Sequence, residues 1–109
     1  MKELFTIGEM AELFQINIRT LRYYDDIGLL CPETVNPETG YRYYSTKQFE
    51  RLNTIKYLRT LNMPLEKMKQ FFQNRDARVM EQILEDQLLA TRDQLAQLQN
   101  MERKLTRRL

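Results

Sequence analysis

Every glycine (Gly8, Gly28, Gly40) and every proline (Pro32, Pro37, Pro64) of this 109-residue chain lies at or before position 64. The residues that most often interrupt helices are thus absent from the remaining 45 positions, which can run as one uninterrupted helix. This asymmetry predicts a compact head, about 1–75, and a helical arm, about 76–109. The size suits one small domain with such an appendage.

The head carries recognisable start and stop signals. Thr6-Ile7-Gly8-Glu9 has the form of a capping box, in which Thr6 accepts from an early helical N–H and Glu9 reaches back to the Thr6 amide. Ile7, Met10, Ala11 and Phe14 follow at helical spacing, so a first helix is expected over 7–14. After the break Gln15-Ile16-Asn17, Asn17 is placed to cap a second helix over about 18–26, and Gly28 can end it in a left-handed conformation. Two short helices joined by a three-residue turn form a helix-turn-helix layout. Ile18 and Leu21 are expected to pack on the first helix, which leaves Arg19, Thr20, Arg22 and Tyr23 pointing elsewhere. Such an outer face suits a reader of base edges and phosphates; an ordinary polar helix face would look the same.

Residues 32–44 change character. Turn formers, Asn36-Pro37-Glu38-Thr39-Gly40, are flanked by Glu33-Thr34-Val35 and Tyr41-Arg42-Tyr43-Tyr44, which reads as a β-hairpin with a loop of about five residues. A hairpin after a helix-turn-helix is a wing, and an arginine between tyrosines there suits contact with a nucleic-acid backbone. Ser45-Thr46-Lys47-Gln48 is a second capping-box start. It opens a third helix over about 46–61 with Phe49, Leu52, Ile55 and Leu58 or Leu61 inward, while Lys56 and Arg59 share a face. Pro64 is placed as the first residue of a fourth helix, about 64–73, burying Leu65, Met68, Phe71 and Phe72. The expected fold is mainly α: a winged helix-turn-helix head with a small hairpin wing, followed by a long coiled-coil helix.

In the arm, positions 84, 91, 98, 105 and 88, 95, 102, 109 follow the alternating four-three spacing of a coiled-coil seam. Six of these eight are leucine: Leu84, Leu88, Leu95, Leu98, Leu105 and Leu109. A helix starting after Asp76 would extend about 50 Å, too long to bury its seam against its own head. A homodimer is the expected partner arrangement, the alternative being a helix that folds onto a domain outside this chain. The seam pattern does not choose between parallel and antiparallel pairing.

Charge and composition narrow the function. The formal charge is only +2, and the arm is neutral, so the excess belongs to the head. There it is clustered: Arg19 and Arg22, then Arg42 and Lys47, then Arg51, Lys56 and Arg59 fall in acid-free stretches that also hold or adjoin all six tyrosines. A near-neutral chain can in this way present a basic, tyrosine-rich face to phosphates; a set of solvated helix faces is the competing reading. With one cysteine and no histidine, disulfide frameworks, Cys/His zinc sites and histidine general bases are out of reach. Asp25 and Asp26 are adjacent on a helix and point apart, so no catalytic pair is formed. No apolar run approaches a membrane span. The expectation is a cytoplasmic protein that is not an enzyme and needs no metal or cofactor.

Four runs at these separations, Phe5-Thr6-Ile7-Gly8-Glu9-Met10-Ala11, Thr20-Leu21-Arg22-Tyr23-Tyr24-Asp25-Asp26-Ile27-Gly28-Leu29-Leu30-Cys31-Pro32, Gly40-Tyr41-Arg42-Tyr43-Tyr44 and Leu58-Arg59-Thr60-Leu61-Asn62-Met63-Pro64-Leu65-Glu66, resemble the MerR family of bacterial transcription regulators. The Tyr-Arg-Tyr-Tyr wing is most similar to its multidrug-sensing branch. The resemblance implies dimers joined by an antiparallel coiled coil, each head on one half of a palindromic promoter in double-stranded DNA. It further implies that the overlong promoter spacer is bent and untwisted so that RNA polymerase engages both elements. Position by position, it implies Arg19, Thr20, Arg22 and Tyr23 in or beside the major groove, and Tyr24, Tyr41, Arg42 and Tyr43 on phosphates. Lys56 and Arg59 would make further backbone contacts. Tyr24 has a core position as its alternative, because it follows Leu21 at helical spacing.

Departures from the family pattern also carry meaning. Metal- and redox-sensing members bear cysteines toward the far end of the long helix. This chain has only Cys31, beside the wing, where a small buried hydrophobe is the expected role. The resemblance names no effector, and the chain is either a truncated regulator or a short member without a ligand domain. A coiled-coil adaptor whose head binds protein is the competing function; salt-insensitive behaviour and no affinity for any duplex would favour it.

Overall fold

A computed structural model of the chain describes residues 3–74 and 76–109; the expected head–arm boundary at residue 75 lies outside them. Two compact units are present, Met1–Lys69 and Gln70–Leu109.

In the first unit, strand β1 (Leu4–Thr6) leads directly into helix α1 (Ile7–Phe14). The capping box forms as the sequence implies: Thr6 Oγ1 accepts from the Glu9 amide at 3.1 Å, and Glu9 Oε1 accepts from the Thr6 amide at 3.0 Å. Helix α1 ends at Gln15, which takes a left-handed conformation (φ 54°) without being glycine. Lys56 Nζ donates to the Phe14 carbonyl at that end, a cation placed where the helix dipole favours one. Helix α2 (Ile18–Asp26) begins with Asn17 Oδ1 accepting from the Arg19 amide at 2.7 Å, and Gly28 leaves it at φ 78°.

The wing consists of β2 (Thr34–Val35) and β3 (Arg42–Ser45), paired antiparallel with Thr34 opposite Tyr43 and Val35 opposite Arg42. In its loop, Asn36 Oδ1 accepts from the Glu38 amide at 2.9 Å and Gly40 takes φ 73°, which favours a residue without Cβ. The other edge of β3 pairs antiparallel with β1, giving the order β1-β3-β2. The hairpin thus gains a third strand and is anchored to the start of α1, a support that a two-stranded ribbon needs.

A single 3₁₀ turn (Thr46–Gln48) precedes α3 (Phe49–Thr60), so the third helix is shorter than the expected 46–61. Gln48 Oε1 accepts from the Ser45 amide at 3.1 Å. Leu52, Ile55 and Leu58 of α3 join Met10, Leu21, Tyr24, Leu29, Leu30 and Tyr44 in the core, and each fully buried aliphatic side chain stabilises the fold by about 1.5–3 kcal/mol. Phe49 packs between Phe5 and Phe14, with ring centroids 5.3 and 5.1 Å away. Helix α4 (Leu65–Gln73) starts one residue later than expected: Pro64 is not its first residue but caps it, its carbonyl accepting from the Met68 amide.

Two core expectations are corrected. Ile18 is 36% exposed whereas Leu21 is fully buried. The buried stripe of α2 is centred on Leu21 and Tyr24, and Ile18 sits about 120° of helix rotation from Tyr24, at the stripe's margin. Cys31 is exposed rather than buried. Leu29 and Leu30 take the buried positions of that segment, and the chain turns outward after them. The Cys31 thiol points toward the Asp25 carbonyl at 3.8 Å. Partial burial, followed by the proximity of Asp25, pushes it up from its ordinary range, which leaves it a poor nucleophile.

In the second unit, Asp76 Oδ1 accepts from the Arg78 amide at 2.9 Å and opens helix α5 (Ala77–Arg108). Its 32 residues span about 48 Å. Ile83 is its buried residue among those described. Leu84, Leu88, Leu95, Leu98 and Leu105 are all exposed, as is Leu109 just past its end.

The Tyr44 hydroxyl lies fully buried with no hydrogen-bond partner among the described residues. Burial, reinforced by the Asp25 carboxylate, pushes its pKa up from 10 to about 12. The folded state therefore holds the phenolic proton more tightly than the unfolded chain does. Stability is unaffected below pH 10 and falls as pH rises toward about 12. Tyr44→Phe is expected to be at least as stable as the parent at pH 7 and to lose less stability over that alkaline window. Denaturant titrations at pH 7 and pH 11 check this; an unchanged alkaline loss in the variant would assign it to another group.

Candidate nucleic-acid interface

The interface is built on α2. Leu21 and Tyr24 face the core at 0 and 1% exposure, and the helical period then turns Arg19, Arg22 and Tyr23 outward, where all three are exposed. Thr20 lies between these faces, half-buried. A groove of about 650 Å³ runs along this side of the unit. Arg19, Thr20 and Tyr23 line one wall, and Arg59, Asn62 and Pro64, from the α3–α4 junction, contribute to the other. Asn62 turns the chain there in a left-handed conformation (φ 59°). A second, smaller notch brings Arg22 beside Tyr41 and Arg42 of the wing, over Thr6 and Ile7 at the start of α1.

Arg42 is fixed by an ion pair: its Nε donates to Asp25 Oδ2 at 2.8 Å, with the two side chains 32 and 23% exposed. This bond ties the wing to the end of α2. It occupies only Nε, so the terminal guanidinium nitrogens remain as donors. Arg51 ties the next segment in the same way, its Nε donating to the Leu29 carbonyl at 3.0 Å; partial burial lowers its pKa.

The residues singled out from sequence are not equivalent in the folded chain. Arg19, Thr20, Tyr23 and Arg59 share the groove, while Arg22, Tyr41 and Arg42 share the notch. Tyr41 is 64% exposed and precedes β3 instead of opening it. Tyr43 lines a different hollow with Leu4, Thr34 and Val35. The Lys56 ammonium is engaged by the Phe14 carbonyl. Tyr24 is a core residue, its hydroxyl accepting from Arg59 Nη1 at 3.1 Å. Asp25 and Asn62 were not anticipated here. The Asp25 partner is 17 residues away, beyond any local pattern, whereas Asn62 was legible as a residue that tolerates a left-handed turn.

A helix-turn-helix, a two-stranded wing within a three-stranded sheet and two following helices define a winged-helix protein. Residues 5–75 match the MerR HTH family regulatory protein profile. The chain belongs to the MerR family. It is 47% identical over 70 residues to the multidrug-efflux transporter 1 regulator of Bacillus subtilis (strain 168), a match covering 63% of this chain and 25% of that protein. It spans about a quarter of that relative's length. Among solved structures, it is similar to EcmrR in an EcmrR–DNA complex, with a TM-score of 0.73 and 28% identity over 94% of this chain and 39% of the other. It is also similar to the N-terminal part of the Bacillus subtilis multidrug transporter activator (MtaN), with a TM-score of 0.67 and 28% identity over 93% of this chain and 97% of that one.

If the Asp25–Arg42 pair holds the wing, Asp25→Ala will speed amide exchange in the β2–β3 ladder by roughly three- to fivefold, the equivalent of a partly exposed ion pair. Exchange in α3 should stay unchanged. Wing amides that exchange at the parental rate would show that strand pairing alone holds it.

Proposed function

We propose that this chain is the DNA-binding head and dimerisation arm of a transcription regulator that acts as a homodimer on palindromic promoter DNA in the cytoplasm. The observation that carries the reading is the division of α2. One face is locked into the core, and the other presents Arg19, Arg22 and Tyr23 next to a wing whose arginine is already oriented. An α-helix fits the major groove, where side chains can read base edges, and a wing arginine is suited to the flanking phosphates. Arg19, Thr20, Arg22 and Tyr23 are assigned to the groove, and Tyr41, Arg42, Tyr43 and Arg59 to the sugar–phosphate backbone. Lys56 acts chiefly inside the protein, where it closes α1.

The exposed leucines of α5 form the dimer seam in this reading. Leu84, Leu88, Leu95, Leu98, Leu105 and Leu109 repeat at coiled-coil spacing along the arm, and a second copy would remove that apolar surface from water. Two heads on one duplex call for two half-sites related by symmetry. Spacer distortion and engagement of RNA polymerase enter this proposal through family membership, and the EcmrR–DNA complex supports the nucleic-acid partner. No catalytic step is assigned to any residue.

Binding dominated by phosphate contacts weakens steeply with salt, log K falling by about 0.9 per neutralised phosphate for each decade of salt. Arg42→Ala is expected to weaken binding to duplex DNA by roughly 1–3 kcal/mol and to reduce the salt slope by about 0.9. Fluorescence-anisotropy titrations at several salt concentrations measure both. A variant indistinguishable from the parent in affinity and slope would remove the wing from the interface.

A further inference from the structure

The groove beside α2 contains a hydrogen bond whose two ends differ in kind. Tyr24 is 1% exposed, with its ring held among core side chains, yet its hydroxyl reaches the groove wall and accepts from Arg59 Nη1 at 3.1 Å. Arg59 itself is exposed and lines the same groove as Arg19. Its helix, α3, is anchored from below by Leu52, Ile55 and Leu58. An exposed arginine normally samples many rotamers and loses that freedom when it binds an anion. Here a rigid buried phenol engages one nitrogen of the planar guanidinium on a side chain that is otherwise exposed, an arrangement suited to a preorganised fork for an oxyanion.

Resting on the DNA-binding reading above, we infer that Tyr24 is a positioning residue: it holds the Arg59 guanidinium in the groove so that, with Arg19, it grips one phosphodiester of the bound duplex. Tyr24 is 1% exposed and meets the groove, where its hydroxyl accepts from Arg59; its part in this inference is to aim that guanidinium and not to bind the phosphate. Burial pushes the Tyr24 pKa up from its ordinary value, and the Arg59 charge and hydrogen bond offset only part of that rise, so the phenol stays an oriented, neutral acceptor. The acid-free run from Arg51 to Leu65 keeps carboxylates of its own segment from competing for the guanidinium.

A double-mutant cycle on the full chain tests this, with a mixed-sequence DNA duplex at low salt as the probe and anisotropy as the readout. Tyr24→Phe keeps the buried ring and removes only the acceptor. It is expected to weaken binding about three- to tenfold, the usual reach of one hydrogen bond. Arg59→Ala is expected to weaken it at least as much and to reduce the salt slope by about 0.9. The decisive term is the coupling: in the Arg59→Ala background, Tyr24→Phe should have no further effect. A Tyr24→Phe loss that persists undiminished without Arg59 would overturn the inference by making Tyr24 a direct DNA contact or a purely structural residue. Binding unchanged by Tyr24→Phe would also overturn it. If the unmodified chain binds no duplex, the functional reading falls along with the inference. Should Tyr24→Phe lose its cooperative melt, NMR of the unmodified chain decides. A guanidinium whose rotation about Cζ–Nε is slowed supports the fixed fork, and a freely rotating one contradicts it.

Discussion

The arrangement depends on how α2 divides its surface. A helix returns to the same face every 3.6 residues, so burying Leu21 and Tyr24 leaves Arg19, Arg22 and Tyr23 no position except outside. Burial of those two side chains is worth several kcal/mol, far more than any contact made by the exposed arginines, and the core therefore dictates what the outer face displays. Asn17 and Gly28 set the ends of the helix and so determine which turn meets the groove and which meets the wing.

Around α2 the same economy recurs: groups that are part of the framework also aim groups that are not. Asp25 sits in the last turn of the helix and holds Arg42 across the gap to the wing. Tyr24, one residue earlier, is core by its ring and a hydrogen-bond acceptor by its hydroxyl. Ion pairs between mobile surface groups contribute little to stability; in the proposed reading the Asp25–Arg42 pair contributes by orienting a cation before DNA arrives. Residues 76–109 carry balanced charge, and apolar side chains are exposed along α5; in the proposed reading its contribution is association through leucine side chains.

Much of this was legible in the chain because the signals were local. Thr6 with Glu9, Asn17, Gly28, Asn36 with Gly40, and Asp76 each act within a few residues of themselves, and every one performs the expected cap or turn. The α3 stripe Leu52, Ile55 and Leu58 was equally plain from its period. What escaped was non-local or unusual. Strand β1 has three residues, too few for alternation, and exists because β3 offers it an edge. Gln15 takes a left-handed conformation that its side chain does not advertise. Lys56 looked like a surface cation until the end of α1 was placed beside it. Tyr24 could have faced either way on spacing alone, and only packing decided it. Cys31 and Ile18 were assigned by chemical type, whereas position in the turn and at the stripe margin set their exposure.

In the proposed homodimer, twin heads displayed by paired arms should impose their own symmetry on the nucleic acid they choose. Selection of bound sequences from a pool of random duplexes reads this out with no operator supplied to the protein. The account predicts an enriched inverted repeat, its two half-sites separated by a constant spacing. Enrichment of a single asymmetric element, or no enrichment over the starting pool, would contradict it.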